Sequence, residues 1–125
     1  MHKLFKYIML IFSLSIHAQN NINPCYSLEA SQFDFWIGDW KLEWKDQSGK
    51  IQNGTNSIKK ILDGCVIEEN FDGGEGTPLK GKSNSVYNSF TKKWHQTWVD
   101  NTGGYLDFMG NFSNGIMILV REYID

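Results

Sequence analysis

The sequence predicts an all-β domain, an antiparallel up-and-down barrel that follows a short helical turn. From Phe33 onward, apolar and polar residues alternate with a period of two, in runs rich in aromatic and β-branched side chains. Clusters of Gly, Asn, Asp and Ser separate these runs at intervals of about 8 to 15 residues, which is typical of antiparallel strands joined by tight turns. Aromatic residues make up 14% of the 125 residues, and such large side chains indicate a packed interior rather than a disordered chain.

The first 18 residues are predicted to form a secretory signal peptide. Two lysines precede a nearly unbroken apolar run from Tyr7 to Ile16, and the small residue Ala18 suits a cleavage site. The run is too short to cross about 30 Å of hydrocarbon, so a membrane anchor left uncleaved is the weaker alternative. We therefore expect a secreted or periplasmic protein with no membrane span once residues 1–18 are removed.

Residues 19–32 are interpreted as an N-terminal segment that leads into the barrel domain, residues 33–125. Asn23 followed by Pro24 suits the N-cap and the first position of a helix, so a short helical turn is predicted within residues 24–32.

Seven strands are predicted within the barrel domain, at approximately residues 34–45, 51–61, 65–71, 81–89, 93–99, 105–112 and 116–123. The links between them are mostly short and rich in Gly, Asn and Asp, which favours a meander in which each strand lies beside the next. The longest link, residues 72–80, is either a mobile loop at the barrel mouth or a plain surface connection.

In the first predicted strand, the even-numbered positions place Trp36, Trp40, Leu42 and Trp44 on one face and charged residues on the other. A flat sheet that exposed three tryptophans would be prone to aggregation. A closed barrel of about eight strands has room for them, because side chains or one small ligand fill its interior. The tryptophan face is therefore predicted to point inward.

The charge of the chain argues against nucleic acid as a partner. The formal net charge is −2, and it becomes −4 when Lys3 and Lys6 leave with the signal peptide. The lysine pairs at 59–60 and 92–93 do not make the positive stripe that binding to phosphates requires.

The two cysteines, Cys25 and Cys65, both lie outside the signal peptide. An even number of cysteines in an oxidising compartment favours a disulfide between them. A metal site is the weaker alternative, because neither cysteine belongs to a C-x-x-C pair.

The segment 33–40, F-D-F-W-I-G-D-W, resembles the opening of a family of secreted, mostly bacterial, lipocalin-like proteins of uncharacterised function. Members of that family typically begin F-D-F-W-x-G-x-W. Gly38-x-Trp40 is also similar to the G-x-W of the wider lipocalin and calycin group, in which the tryptophan closes the bottom of the barrel. Further matches to the family occur in the expected order, in segments 63–69, 81–87, 94–100 and 115–117. The resemblance implies a lipocalin-like (calycin-type) barrel.

The resemblance also implies a departure at the C-terminal end. Members of the family usually continue for a few more strands, whereas this chain stops in or just after its seventh predicted strand. We expect either an open barrel, with its last edge covered by a partner or by the N-terminal segment, or a fragment that lacks the final strands. Arg121 would either stack on Trp40 at the barrel base, as a terminal-strand arginine does in many lipocalins, or be solvated.

Seven residues are predicted to bind a ligand in the barrel interior, namely Trp36, Trp44, Glu69, Ser83, Tyr87, Gln96 and Trp98. Gln96 alternates with two tryptophans along its strand, so it is either an anchor for a ligand or part of an internal hydrogen-bond network. Ser83 and Tyr87 alternate on the preceding strand and could present hydroxyl groups to the same space.

Glu69 is the candidate for acid–base chemistry, since a buried carboxylate without a cationic partner can serve as a general acid or base. The alternative register turns Glu68 inward instead, and Asp100 is a second candidate carboxylate. Haem binding would depend on His95, which falls on the face opposite to the tryptophans. No G-x-S-x-G motif surrounds any serine, which argues against a serine hydrolase.

These features favour a secreted binding protein that holds a small apolar or amphipathic molecule in an aromatic-lined barrel, with no cofactor and no metal. The alternatives are a calycin-type enzyme, similar to isomerases or cyclases and using a barrel carboxylate, or a haem-binding barrel. An interaction module with its interior plugged by tryptophan is a further alternative.

Overall fold

The computed structural model describes residues 23–123, and more than half of them lie in one antiparallel sheet of seven strands. The strands are β1 (Gly38–Lys45), β2 (Ile51–Ile61), β3 (Val66–Asp72), β4 (Lys80–Asn88), β5 (Lys93–Asp100), β6 (Tyr105–Ser113) and β7 (Ile116–Val120). Three short 3-10 turns precede the sheet, at Pro24–Tyr26, Glu29–Ser31 and Asp34–Trp36. The predicted signal peptide, residues 1–18, lies outside the described residues.

Each strand pairs with the next one along the chain, in the order β1 to β7. This order confirms the predicted all-β, up-and-down arrangement, and the observed strand boundaries lie close to the predicted ones. The sheet curls into a half-barrel, and within residues 23–123 its two edge strands, β1 and β7, do not pair with each other. The half-barrel is therefore open along one side, where the row of tryptophans predicted closure.

The first strand is shorter than predicted at its N-terminal end. Asp34–Trp36 form a 3-10 turn, and β1 begins only at Gly38, whose φ of 148° favours glycine. The Asp34 carboxylate forms an ion pair with Lys60 of β2 at 2.7 Å, which holds the turn against the sheet. Trp36 therefore does not lie on the same strand as the other two tryptophans, although its side chain packs against the core.

The N-terminal segment begins with the predicted helical turn and is tied to the sheet by the predicted disulfide. The Asn23 side chain caps the turn by accepting the N–H of Cys25 at 2.9 Å, and Pro24 occupies the first helical position. Cys25 is bonded to Cys65, the last residue of the turn between β2 and β3. The Asn23 amide also donates to the carbonyl of Asp63 in that turn, at 2.8 Å. Both predictions are confirmed.

Aspartate side chains shape two of the predicted links in the same way. Asp46, between β1 and β2, accepts the backbone N–H groups of the residues two and four positions later, at 2.9 and 3.0 Å. Asp100, at the end of β5, accepts the N–H groups at the same two offsets and the same distances. These carboxylates satisfy the backbone donors that a tight turn leaves without ladder partners.

The core lies at one end of the concave face of the half-barrel. Its buried members are Phe33, Ile58, Ile67 and Trp94, and four partly buried residues pack against them, namely Trp36, Tyr87, Met117 and Leu119. Phe33 and Trp36 come from the stretch directly before β1, residues 33–37, so this stretch covers the sheet from within. The rest of the concave face is free to form a site.

Candidate functional site

The register of the sheet places the inward-facing residues of successive strands side by side. Glu69 of β3 lies opposite Ser83 of β4, which lies opposite Trp98 of β5. In the next inward row, Ser85 of β4 lies opposite Gln96 of β5. Side chains point to the same face at every second position, so these five residues share the concave face.

An open pocket of about 340 Å³ lies on this concave face. Two of its lining residues come from the stretch directly before β1 and the others from β3, β5, β6 and β7, namely Phe33, Trp36, Glu69, Gln96, Trp98, Leu106, Phe108 and Leu119. Six of these are apolar or aromatic and two are polar. This composition, apolar walls with a few polar groups, is typical of small-molecule sites.

The aromatic walls of the pocket are packed against one another. The Phe33 and Trp36 rings stack with centroids 4.8 Å apart, and Phe33 also meets Trp94 edge-on at 5.5 Å. On the opposite side, Trp98 contacts Phe71 with centroids 6.0 Å apart. These contacts fix the orientation of the rings before any ligand is bound.

Glu69 is a buried carboxylate held by two short hydrogen bonds. The Asn56 amide donates to Oε1 and the Ser83 hydroxyl donates to Oε2, both at 2.6 Å. Only 9% of Glu69 is exposed, and the ion pairs found among residues 23–123 do not include it. Glu68 is on the other face, where it accepts from Asn70. Glu69 therefore presents a carboxylate to the pocket with no side-chain cation beside it.

Gln96 belongs to an internal hydrogen-bond network, one of the two alternatives left open by the sequence, and it also lines the pocket. Its amide nitrogen donates to the Ser85 hydroxyl at 2.9 Å, so it takes part in a network with the neighbouring strand. Within the described chain its Oε1 has no hydrogen-bond partner.

The ring of Trp98 lies close against β4 because the position diagonally across from it, residue 81, is a glycine. A β-carbon at Gly81 would overlap the indole ring of Trp98 at Cζ2, so any other residue would displace the ring. The indole N–H of Trp98 donates to Asp100 Oδ2 at 2.9 Å, which fixes the ring from its other end.

Asp100, the second candidate carboxylate, belongs to a turn and not to the pocket. Hydrogen bonds from the Thr102 side chain and then from Trp98 hold the pKa of Asp100 well below its usual range. A carboxylate stabilised in this way is a poor proton donor or acceptor at neutral pH.

Three of the seven residues predicted to bind ligand do not line the pocket. Ser83 is 1% exposed and supports Glu69 from beneath, and Tyr87 packs against Trp94 in the core. Trp44 lies near the C-terminal end of β1, where its ring packs over Gly54 of β2. A β-carbon placed on that glycine would be 3.0 Å from the ring. Trp36, Glu69, Gln96 and Trp98 are brought together.

The sequence reasoning missed four lining residues. Leu106 and Phe108 alternate on β6, and Leu119 faces inward on β7, so the period-two pattern of those strands could have identified them. Phe33 lies outside any strand, and no local pattern indicates that it folds back over the sheet.

Arg121 does not stack on Trp40, which was one of the two arrangements expected for it. Trp40 is 45% exposed, and its indole N–H donates to the carbonyl of Trp36 at 2.8 Å. Arg121 is 3.6 Å from Asp107 and lies over the ring of Tyr123, 5.2 Å from its centroid. The partner of Arg121 is therefore β6 and not the tryptophan of β1.

His95 lies on the outer face of β5, where its Nε2 is 3.1 Å from the Thr91 hydroxyl. It borders a larger outer groove of about 560 Å³ that also includes Asp107 and Arg121. This groove has no buried carboxylate among its described lining residues, so we consider the concave pocket the better candidate site. Within residues 23–123 no group of three or more His, Cys, Asp or Glu is arranged to hold a metal ion.

Comparisons with known proteins gave no match to a family model, to a curated protein or to a solved structure. Among the described residues, the helical segments are all too short to cross a bilayer.

Proposed function

We propose that this protein is a secreted, lipocalin-like binding protein that holds a small, partly apolar molecule in the concave pocket. The observation that supports this function is the convergence of aromatic rings from separate elements, Trp36 and Trp98, on a space that also contains Glu69 and Gln96. Burial of apolar ligand surface would supply affinity at roughly 25 cal/mol per Å². The two polar groups would orient the ligand.

Export from the cytoplasm is part of the proposal. The disulfide between Cys25 and Cys65 is the kind of bond that persists in oxidising compartments. The apolar leader at residues 1–18 would direct the chain there. Membership of the lipocalin-like family with the F-D-F-W-x-G-x-W opening is proposed on the motif at residues 33–40 and on the curled antiparallel meander.

The first test is binding of a neutral apolar dye, N-phenyl-1-naphthylamine, followed by its fluorescence. We expect the dye to bind to the wild type and Trp98→Ala to weaken binding by about tenfold or more, because a pocket wall is removed. Trp44→Ala is the matched control, since it removes the same side chain from outside the pocket. Absence of dye binding, or equal loss in both folded variants, would exclude the concave pocket as the site.

A calycin-type enzyme is the second candidate, and the isolation of Glu69 from cations favours it. Small molecules released from protein purified from its natural compartment would be identified by mass spectrometry and then incubated with fresh protein. Recovery of the molecule unchanged supports a binding protein. Conversion by the wild type but not by Glu69→Gln would support an enzyme.

A further inference from the structure

We propose that the ligand of the concave pocket is an organic ammonium ion, with its nitrogen at Glu69 and its carbon skeleton between the aromatic rings. This inference rests on the proposed function, and it names the chemical class that the pocket selects. It depends on three properties of the pocket, which are its hydrogen-bonding atoms, its charge and its aromatic faces.

The pocket offers free acceptor atoms to a ligand. Glu69 accepts one hydrogen bond at each oxygen, and a carboxylate has about four acceptor sites, so it can accept from a ligand as well. Gln96 donates one of the two N–H groups of its amide nitrogen to Ser85 and leaves its carbonyl oxygen without a partner among residues 23–123. The indole N–H of Trp98 is likewise used, on Asp100.

The orientation of Asn56 agrees with this pattern. The Asn56 amide turns its nitrogen toward Glu69 Oε1, an orientation that suits a carboxylate oxygen, which accepts. This leaves Asn56 Oδ1 buried with no hydrogen-bond partner in the described part of the chain. The row of side chains behind the pocket therefore includes a further acceptor without a partner.

The pocket carries one negative charge and no balancing positive one. Its lining residues include no Lys, Arg or His. Lys60 lies on the same face of β2 as Asn56, and its ammonium group is paired with Asp34 at 2.7 Å. An ammonium ion would neutralise Glu69, whereas an anionic ligand would place a like charge beside it, so the pocket discriminates by attraction and by repulsion.

The aromatic walls favour the same class of ligand. The rings of Phe33, Trp36 and Trp98 border the pocket, and the face of an aromatic ring attracts a cation placed over it. Tryptophan is the strongest of these rings in this respect. An amine with an apolar skeleton would satisfy both the carboxylate and the rings.

Three probes of similar size test this class, namely 2-phenylethylammonium, 2-phenylethanol and 3-phenylpropanoate. Each would displace the neutral dye N-phenyl-1-naphthylamine from the wild type, from Glu69→Gln and from Glu68→Gln. Glu68 lies on the outer face of the same strand, so its variant is the matched control. Circular dichroism would establish that each variant is folded.

We expect the ammonium probe to displace the dye from the wild type at a concentration about tenfold or more below the alcohol, with the carboxylate probe weakest. Glu69→Gln should remove most of the difference between ammonium and alcohol, and Glu68→Gln should keep it. If Glu69→Gln does not fold, the order of the three probes on the wild type still decides.

Two outcomes overturn this inference in different ways. Dye binding with equal displacement by the ammonium and carboxylate probes would reject the ammonium class while leaving the pocket as a binding site. Failure of the dye itself to bind would reject the proposed function, and this inference with it, because the probes are detected only by displacement of the dye.

Discussion

At the scale of single residues, the pocket depends on a glycine that allows a tryptophan to lie close to the sheet. A methyl group at Gly81 would overlap the ring of Trp98, which lines the pocket, so Gly81→Ala must displace that ring. We expect this variant to lose about 1–3 kcal/mol of unfolding free energy through overpacking. Dye binding should weaken as well, and both effects can be measured by urea unfolding and fluorescence titration.

Asn84→Ala is the control for this prediction, because Asn84 is exposed on the outer face of the same strand. It should leave the unfolding free energy within about 0.5 kcal/mol of the wild type. Unchanged stability and unchanged dye affinity in Gly81→Ala would mean that Trp98 does not rest on the glycine.

The inward-facing positions that the sequence predicted correctly are those whose face is fixed by strand periodicity. Glu69, Gln96 and Trp98 alternate within regular strands, so the choice of inward face placed all three. Trp44 was also assigned to the inward face, but alternation does not say where along a curled strand the pocket lies. Phe33 lies in the segment before the sheet, and its position depends on tertiary packing that no local pattern encodes.

At the scale of elements, the disulfide fixes the N-terminal segment to the sheet. Cys25 and Cys65 are 40 positions apart in the sequence, and the segment between them contains Phe33 and Trp36 as well as β1 and β2. The double variant Cys25→Ser with Cys65→Ser should therefore lose roughly 2 to 4 kcal/mol of unfolding free energy in the chain-entropy model.

Urea unfolding of the wild type and of the double variant measures this loss. Wild-type protein treated with a reducing agent provides the control, since it loses the bond without a substitution. Equal unfolding midpoints for oxidised and reduced protein would show that the cross-link does not restrain the unfolded chain. The sequence predicted this pair because only two cysteines are present.

The openness of the half-barrel is a property of the whole molecule that the sequence left as one of two alternatives, an open barrel or a fragment. Seven strands and their order follow from period-two runs and from turn residues, both of which are local signals. Closure depends on pairing between β1 and β7, the two strands farthest apart in the chain. A row of tryptophans indicates a shared interior but not whether the two edges meet, because an inner segment such as Phe33 and Trp36 can cover the aromatic face instead.

Acid stability is the last prediction for the whole molecule, because the links at one end of the sheet depend on ionised aspartates. Hydrogen bonds from Ser48 and then Gln52 lower the pKa of Asp46 to about 2. The Lys80 side chain, followed by a backbone N–H, lowers the pKa of Asp72. With Asp100, three of the links at this end are held in this way.

A carboxyl whose pKa is lower in the folded state stabilises the fold fully above its unfolded pKa, near 3.8, and this contribution is lost as the pH falls through the folded pKa. We therefore expect the thermal midpoint to stay level between about pH 7 and pH 5 and to fall between about pH 4 and pH 2.

Asp100→Asn should lower the thermal midpoint at neutral pH and make its fall at acid pH less steep. Asp63→Asn, in the β2–β3 turn, should leave the profile unchanged, because the Asp63 carboxylate makes no hydrogen bond among the described residues. Circular dichroism at a series of pH values measures these midpoints, and a steeper fall in Asp100→Asn than in the wild type would contradict the role given to this aspartate.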